Sequence, residues 1–247
     1  MSLDACARIV AEGDPDRFLS VMAAPVPARA TLLPLYAFNV EIARAPFVSQ
    51  EPMIGEMRLQ WWRDAVAEIA AGKAPRAHEV AAPLAGVIRA ADLPVEVLDA
   101  AIAARRWDLW REPFEGEAAF LDHLDATSGG LMWLAVKALG GTDEAGARAT
   151  GRAMGLANWF RAVPAMEARG MKPLPDGRPG AVARLAGLGL DWLGQGTGGG
   201  PALRAAWLAG PILRQAARRP ERVKDGALGV SEFRRRGALI LRAALGR

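Results

Sequence analysis

Apolar residues recur three and four positions apart along most of the chain, which is the spacing of one face of an α-helix. The clearest examples are Leu35, Phe38 and Ile42 in one segment and Leu59, Trp62, Val66 and Ile69 in the next. Alternating runs of strand length do not stand out, and Ala and Leu dominate over β-branched residues. The pattern predicts a protein that is helical throughout.

Proline, glycine and capping residues predict where the helices begin and end. Asp14 followed by Pro15 is typical of an N-cap with proline in the first turn, and predicts a helix to about Ala24. Thr142-Asp143-Glu144 predicts the start of a helix of about 25 residues. We expect further helices near 28–45, 52–71, 79–91, 94–110, 117–124, 127–139, 202–219 and 231–245. A turn-rich stretch is predicted after Pro175, and the sequence GQGTGGGP at 194–201 predicts a loop within one bundle.

Composition favours one soluble domain over residues 1–247. Hydrophobic residues make up 51% and charged residues 23% of the chain, an ordinary globular balance. No run reaches about 18 apolar residues, so no membrane-spanning helix is expected. The acidic start of the chain does not resemble a secretory signal. The single cysteine, Cys6, excludes an internal disulfide and is consistent with the cytoplasm.

Positive charge is concentrated near the C-terminus. Residues 201–247 hold 11 Lys and Arg and three acids, whereas residues 1–200 hold 20 and 24. Such a region is typical either of solvated helix faces or of a surface that contacts anionic lipid or an acidic partner. No nucleic-acid fingerprint accompanies the charge, so we expect no nucleic-acid partner.

Three segments carry the strongest motif signal. They are Tyr36–Asp64, Thr127–Gly141 (TSGGLMWLAVKALGG) and Gly155–Pro175 (GLANWFRAVPAMEARGMKPLP). In this order and spacing they resemble the squalene/phytoene synthase family. The resemblance implies an all-α, isoprenoid-synthase-like helical bundle. It also implies that the glycines of the middle segment allow close approach to a ligand or to a neighbouring helix.

The aspartates that the family uses for catalysis are missing. In that family two aspartate-rich motifs bind magnesium ions, which hold the prenyl diphosphate and neutralise the leaving group. Here Ala43 and Arg44 stand where the first motif has adjacent aspartates, and only Glu41 remains as an acid one turn earlier. In the second motif, Arg161 is present but Ala162 stands where an aspartate would follow. The resemblance therefore implies lost magnesium sites and no cofactor.

The motifs resemble one branch of the family more specifically. Ala-Phe-Asn-Val-Glu at 37–41 and Arg-Ala-Val-Pro at 161–164 are similar to a non-catalytic branch, the mitochondrial respiratory complex I assembly factor and its bacterial relatives. This likeness implies a role in respiratory complex I assembly. The implied partners are complex I subunits or assembly intermediates, and the implied location is cytoplasmic or peripheral on the inner membrane. The basic C-terminal region is then a candidate contact surface.

Eight residues are candidates for a vestigial cavity or an anion site: Glu41, Arg44, Arg58, Trp62, Arg63, Asp64, Asn158 and Arg161. Converging arginines bind phosphate oxygens without a metal. The same arginines would only stabilise the fold if they form ion pairs with Glu41, Glu56 or Asp64. Trp62 either packs in the core or lines an apolar prenyl cavity.

Two other functions stay open. One is a magnesium-dependent head-to-head prenyl transferase in which Glu41, Asp64 or other acids replace the usual aspartates. The other is a protein that binds an isoprenoid lipid or its phosphate, in a cavity with an arginine mouth.

Overall fold

The computed structural model describes residues 3–196 and 200–231, together with Gly237 and Leu239. This part of the chain contains thirteen α-helices and no strand, which confirms the all-α prediction. The helices are α1 (Leu3–Gly13), α2 (Pro15–Met22), α3 (Val26–Arg44), α4 (Pro52–Ala70), α5 (Ala81–Ala90), α6 (Val95–Ala104), α7 (Arg106–Trp110), α8 (Glu117–Leu124), α9 (Gly130–Ala138), α10 (Glu144–Glu167), α11 (Pro179–Gln195), α12 (Ala209–Arg218) and α13 (Glu221–Lys224).

Both predicted helix caps are present. The Asp14 side chain accepts a hydrogen bond from the backbone N–H of Arg17 at 3.0 Å and caps α2. The Asp143 side chain accepts one from the backbone N–H of Gly146 at 2.9 Å and caps α10, which is 24 residues long. Each cap satisfies a backbone donor that the first turn of a helix leaves without a partner.

The turn-rich stretch predicted after Pro175 was wrong, because α11 occupies most of it. Its glycines and prolines suggested turns, but Val182, Leu185, Ala186 and Trp192 lie on one face and are buried. That face packs on α10 and α12. Burial of an apolar stripe therefore outweighs the low helix propensity of glycine.

Several other boundaries differ from the prediction. The helix expected at 94–110 is divided into α6 and α7, and the one at 202–219 into a 3₁₀ turn (Leu203–Ala206) and α12. The helix expected at 127–139 is α9, preceded by a π-turn (Asp125–Gly129). Helix α1 was not predicted. The helix expected at 231–245 lies almost wholly outside the described residues, as do residues 197–199 of the predicted loop.

The buried side chains form two main clusters. One surrounds α1, α3, α4, α5 and α6 and includes Leu35, Phe38 and Trp62. The other surrounds α10, α11 and α12 and includes Phe160 and Leu213. Of the helices described, none combines the length and the apolar character needed to cross a membrane.

Glycines bring the π-turn into direct contact with α10. A β-carbon added to Gly151 would lie 2.7 Å from the Met132 β-carbon and 2.8 Å from the Gly129 α-carbon, and closer still to the Ser128 carbonyl oxygen. One added to Gly155 would lie 2.6 Å from the Ser128 side chain. The two glycines that allow this approach belong to α10, and the segment 127–141 meets them through Ser128, Gly129 and Met132. Ser128 and Gly155 also line the cavity described next.

Candidate functional site

A cavity of about 370 Å³ opens between the start of α2, α3, the α6–α7 junction, α8, the π-turn and α10. Ligand pockets usually span about 300–1,000 Å³, so this one has room for a single small ligand. Its lining is Asp14, Arg17, Asn39, Ala43, Phe47, Arg105, Asp108, His123, Leu124, Thr127, Ser128, Gly155, Asn158, Trp159, Ala162, Ala165, Met166, Arg169 and Met171.

Ala43 and Ala162 both line this cavity. They come from α3 and α10, the two helices that carry the first and second motifs. The structure therefore brings together the two positions at which the resemblance implies missing aspartates. Methyl groups occupy both positions, and neither can ligate a cation.

Glu41, the remaining acid of the first motif, makes its contacts outside the cavity. Glu41 is buried, with its Oε2 3.7 Å from Arg58 Nη2 and 3.8 Å from His78 Nε2. It does not line the cavity. Glu41 therefore forms an ion pair with Arg58 outside the cavity lining. This agrees with the alternative in which Arg58 only stabilises the fold.

The other candidate arginines do not converge. Arg63 forms a two-point ion pair with Asp99, with Nε–Oδ1 at 2.6 Å. Arg161 pairs with Asp16 at 3.0 Å, and Arg44 is exposed. None of these three lines the cavity. Arg63 and Arg161 form ion pairs in separate parts of the fold, and the three arginines form no common anion site.

Asp64 and Trp62 also lie outside the cavity lining. Asp64 accepts a hydrogen bond from Gln60 at 2.8 Å and lies 3.6 Å from Arg76. Trp62 is 1% exposed and packs edge-on against Phe38. Of the eight candidates, only Asn158 contributes to the cavity.

Arg17 is a buried arginine of the cavity lining, and the sequence analysis did not predict it. It is only 6% exposed, and its guanidinium lies over the Tyr36 ring at 4.9 Å. Its Nη1 lies 3.4 Å from Asp14 Oδ2 without hydrogen-bond geometry, and its Nη2 contacts the Met154 sulfur at 3.9 Å. Within the described residues, its Nε and Nη1 have no hydrogen-bond partner. The only sequence signal was an arginine on the same helix face as Ser20 and Val21.

Arg105 is the second cation of the lining and is partly buried, with its side chain 17% exposed. Its Nη2 donates a hydrogen bond to Asn39 Oδ1 at 3.2 Å, and its Nη1 lies 3.8 Å from Asp108 Oδ2. Its Nε finds no partner in the described part of the chain. Burial lowers the pKa of Arg105, and burial raises the pKa of Asp108, with Arg105 and Arg111 opposing the rise. The Arg105-Arg106 doublet after an apolar run was the sequence signal for this site.

His123 of α8 is the remaining ionisable side chain of the lining that is buried. Its ring lies among aromatic rings, with centroid distances of 5.1 Å to Trp159 and 5.4 Å to Phe114. Its Nε2 has no hydrogen-bond partner in the described structure. Burial, with a further contribution from the charge of Arg105, lowers the pKa of His123 to about 3. His123 is therefore neutral at physiological pH.

The buried state of His123 predicts acid sensitivity. The folded protein keeps this ring neutral down to about pH 3, whereas the unfolded chain takes up a proton near pH 6.5. Between these values the unfolded state binds more protons, so stability is lost as pH falls, by about 1 kcal/mol per pH unit from this group. Urea unfolding at pH 7 and pH 5 should show a smaller difference for His123→Asn than for the wild type. His78→Asn, at the other histidine of the chain, is the control for loss of an imidazole; an equal effect of both variants would contradict the assignment.

The cavity lining does not fit a magnesium diphosphate centre. Magnesium needs several oxygen ligands, usually with carboxylates among them. The two carboxylates of the lining, Asp14 and Asp108, each lie within ion-pair distance of an arginine. Throughout the described residues, no group of three or more His, Cys, Asp or Glu side chains is placed to hold a metal ion.

Comparison with known proteins agrees with the fold and with the motifs. The sequence model for squalene/phytoene synthases matches residues 10–246. A solved structure of a dehydrosqualene synthase in complex with ligand has a TM-score of 0.78 at 15% identity, covering 98% of this chain and 95% of that chain. Squalene synthase HpnC from Alicyclobacillus acidocaldarius has a TM-score of 0.64 at 17% identity, covering 98% and 92%. At these identities the structures show a shared fold alone.

The proteins that are similar in sequence carry a different name from the similar solved structures. The chain is 27% identical over 173 residues to "NADH dehydrogenase (ubiquinone) complex I, assembly factor 6" of Mus musculus, covering 69% of this chain and 52% of that protein. It is 26% identical over 162 residues to the Homo sapiens protein of the same name, covering 64% and 48%. The chain thus spans about half the length of these relatives.

Proposed function

The chain belongs to the squalene/phytoene synthase family, and from this premise we propose that it is a non-catalytic member that aids the assembly of respiratory complex I. The observation that carries the first half is the cavity, in which Ala43 and Ala162 face the space between the two motif helices. Ionisation of a prenyl diphosphate requires cations that neutralise the leaving group. This lining offers arginines and two arginine-associated aspartates in place of an open carboxylate set.

Similarity to complex I assembly factors supports the second half. Two relatives from mammals share this name and align with roughly two thirds of the chain. We propose that its partners are complex I subunits or assembly intermediates, and that it acts in the cytoplasm or peripherally at the inner membrane. The basic C-terminal region remains a candidate contact surface, and α12 and α13 are the α-helices of its described part.

An exposed apolar patch favours a protein-binding role. Met53, Ile54 and Met57 near the start of α4 are 63%, 43% and 67% exposed. Phe47 and Trp110, at the ends of segments that pack against α4, are 46% and 57% exposed. Exposed apolar residues that lie together usually mark interaction sites. We propose that this α4 patch contacts a complex I subunit or intermediate.

Deletion of the gene in its source organism tests the proposal. We expect loss of assembled complex I on native gels and loss of NADH oxidation in isolated membranes, both restored by the wild-type gene. The double variant Met53→Glu and Met57→Glu should fail to restore them. Val26→Glu, at a position 69% exposed on α3 and outside the patch, should restore them. Normal complex I in the deletion strain would contradict the assembly role, and rescue by the double variant would contradict only the patch.

The prenyl transferase alternative makes a separate prediction. Incubation of purified protein with farnesyl and geranylgeranyl diphosphate and magnesium should yield no coupled product, because the metal ligands of the family are replaced. Product formation that depends on magnesium would overturn the non-catalytic proposal. It would leave the gene-deletion result to decide the assembly role independently.

A further inference from the structure

We propose that a groove between α12, α13 and residues 229–231 is a docking site for an extended acidic segment of a partner protein. The groove has a volume of about 830 Å³ and shares no described lining residue with the cavity between α3 and α10. Four arginines line it and are the proposed ligands of the partner's carboxylates: Arg214, Arg218, Arg219 and Arg222. The inference rests on the proposed assembly role and deepens it, because it assigns the basic C-terminal region a defined surface and the partner a chemistry.

The first argument is that the charge of this arginine groove is of one sign. Its described lining holds four arginines and no acid. Exposed arginines elsewhere have acidic partners, as Arg178 has Asp176 and Arg184 has Glu117. Among the described residues, none of the four groove arginines forms an ion pair. A concave surface of one charge attracts a partner of the opposite charge, so the missing carboxylates are expected from another chain.

The second argument is that contacts within the chain hold the walls of the groove in place. The Gln215 side chain donates a hydrogen bond to the Gly229 carbonyl oxygen at 2.9 Å and accepts one from the Gly229 backbone N–H at 3.4 Å. Arg222 donates a hydrogen bond to the carbonyl oxygen of Ala227. Val223 of α13 is buried, and α13 packs on α10 and α12. A groove that is already formed loses less conformational entropy when a partner binds.

The third argument is the spacing of the arginines along α12. Arg214 and Arg218 are four residues apart on this helix, which places their β-carbons about 5–6 Å apart on one face. Side chains on one face of an extended peptide recur about every 6–7 Å. An extended segment with an acid at every second position can therefore present one carboxylate to each arginine. Arginine binds a carboxylate at two points, which favours this planar acceptor.

Burial in this region favours a protein segment over a membrane surface. The apolar residues Trp207 and Leu208 line the groove but are only 1% and 8% exposed. In the described range 200–231, no large apolar side chain is exposed. Surfaces that bind in the plane of a bilayer bury exposed apolar side chains in it. This region offers none to insert, whereas a peptide reaches the arginines by lying in the groove.

Fluorescence anisotropy on the full chain tests the proposal, with a labelled peptide of alternating Glu and Ala as the probe. We expect the peptide to bind, and to bind less tightly as the salt concentration rises. Arg214→Gln combined with Arg218→Gln should weaken binding roughly 10-fold or more, because two charge-assisted interactions are lost. The melting temperature of this variant should equal that of the wild type, because both arginines are exposed.

Two further variants separate the groove from general positive charge. Arg44→Gln combined with Arg89→Gln makes the same change of charge at exposed arginines outside the groove, and should bind the peptide within about twofold of the wild type. Equal losses in the two glutamine variants would overturn the groove assignment. Arg214→Lys combined with Arg218→Lys keeps the charge but removes the two-point contact, so it should bind several-fold more weakly. Wild-type affinity in this lysine variant would overturn the recognition of carboxylates by arginine forks.

Anionic vesicles test the membrane alternative in the same assay. Vesicles of phosphatidylglycerol and phosphatidylcholine should leave the labelled peptide bound to the protein. Displacement of the peptide by these vesicles, and not by vesicles of phosphatidylcholine alone, would overturn the proposal in favour of an anionic membrane surface.

Failure of this inference is distinguishable from failure of the assembly role. Absence of peptide binding overturns the inference, and the gene-deletion experiment still decides the assembly role. The variant with Arg214→Gln and Arg218→Gln should also fail to restore complex I in the deletion strain. Full restoration by this variant would overturn the groove as the partner site and leave the assembly role standing.

Discussion

Replacing Trp62 with alanine is expected to lower the free energy of unfolding by about 3–5 kcal/mol, the usual range for a buried tryptophan. The side chain is 1% exposed, and its ring centroid lies 5.3 Å from that of Phe38 and 4.9 Å from that of Trp61. Truncation would leave a void that α3 and α4 can fill only in part. For a chain of this size, the melting temperature should fall by roughly 6–20 °C, as measured by circular dichroism.

Trp110 provides a control with the same change of side chain. It is 57% exposed, so Trp110→Ala should alter stability by no more than about 0.5 kcal/mol. If Trp62 instead lines a ligand site, Trp62→Ala would weaken binding of farnesyl diphosphate while the melting temperature stays unchanged. That result would contradict the core assignment.

Replacing Gly151 with alanine is expected to have the next largest effect, a loss of about 1–3 kcal/mol through overpacking. The added methyl group would meet the Ser128 carbonyl oxygen, the Met132 β-carbon and the Gly129 α-carbon at the same time. Two of these contacts are with backbone atoms, which cannot rotate away, so the π-turn must move off α10. Thermal unfolding of the purified variant measures the loss.

Gly187→Ala is the matched control within another helix. A β-carbon at Gly187 of α11 meets nothing within 4 Å, and alanine favours a helix over glycine by about 1 kcal/mol. This variant should therefore unfold at the same or a slightly higher temperature. A stable Gly151→Ala protein would mean that the π-turn and α10 are less tightly packed than the structure describes.

Most of the fold could be predicted from local sequence patterns. The apolar spacing of α3 and α4 and the caps at Asp14 and Asp143 depend on residues close together in the chain, and each of these features is confirmed. Helix α11 was missed because its stability comes from burial against α10 and α12. Local propensity does not contain that contribution.

Much less of the candidate site could be predicted from the sequence. Predicted site arginines instead form ion pairs with acids that are distant in sequence, Asp99 for Arg63 and Asp16 for Arg161. The sequence pattern does not reveal these partners. Arg17 and Arg105 became visible as a pair only when α2 and the α6–α7 junction were placed on one cavity. Burial of an arginine depends on which helices surround it, and spacing along the chain does not encode this.

The sequence by itself determined the helical class, the family and the presence of Ala43, Arg44 and Ala162 at the motif positions where the resemblance implies aspartates. These are properties of residue type and spacing along the chain, and they do not depend on tertiary contacts. The tertiary structure decided which side chains share the cavity, which arginines are neutralised by ion pairs, and which buried guanidinium lacks a full set of acceptors. The physical reason is that desolvation and charge compensation depend on three-dimensional neighbours, and in this protein most of those neighbours are far apart in the chain.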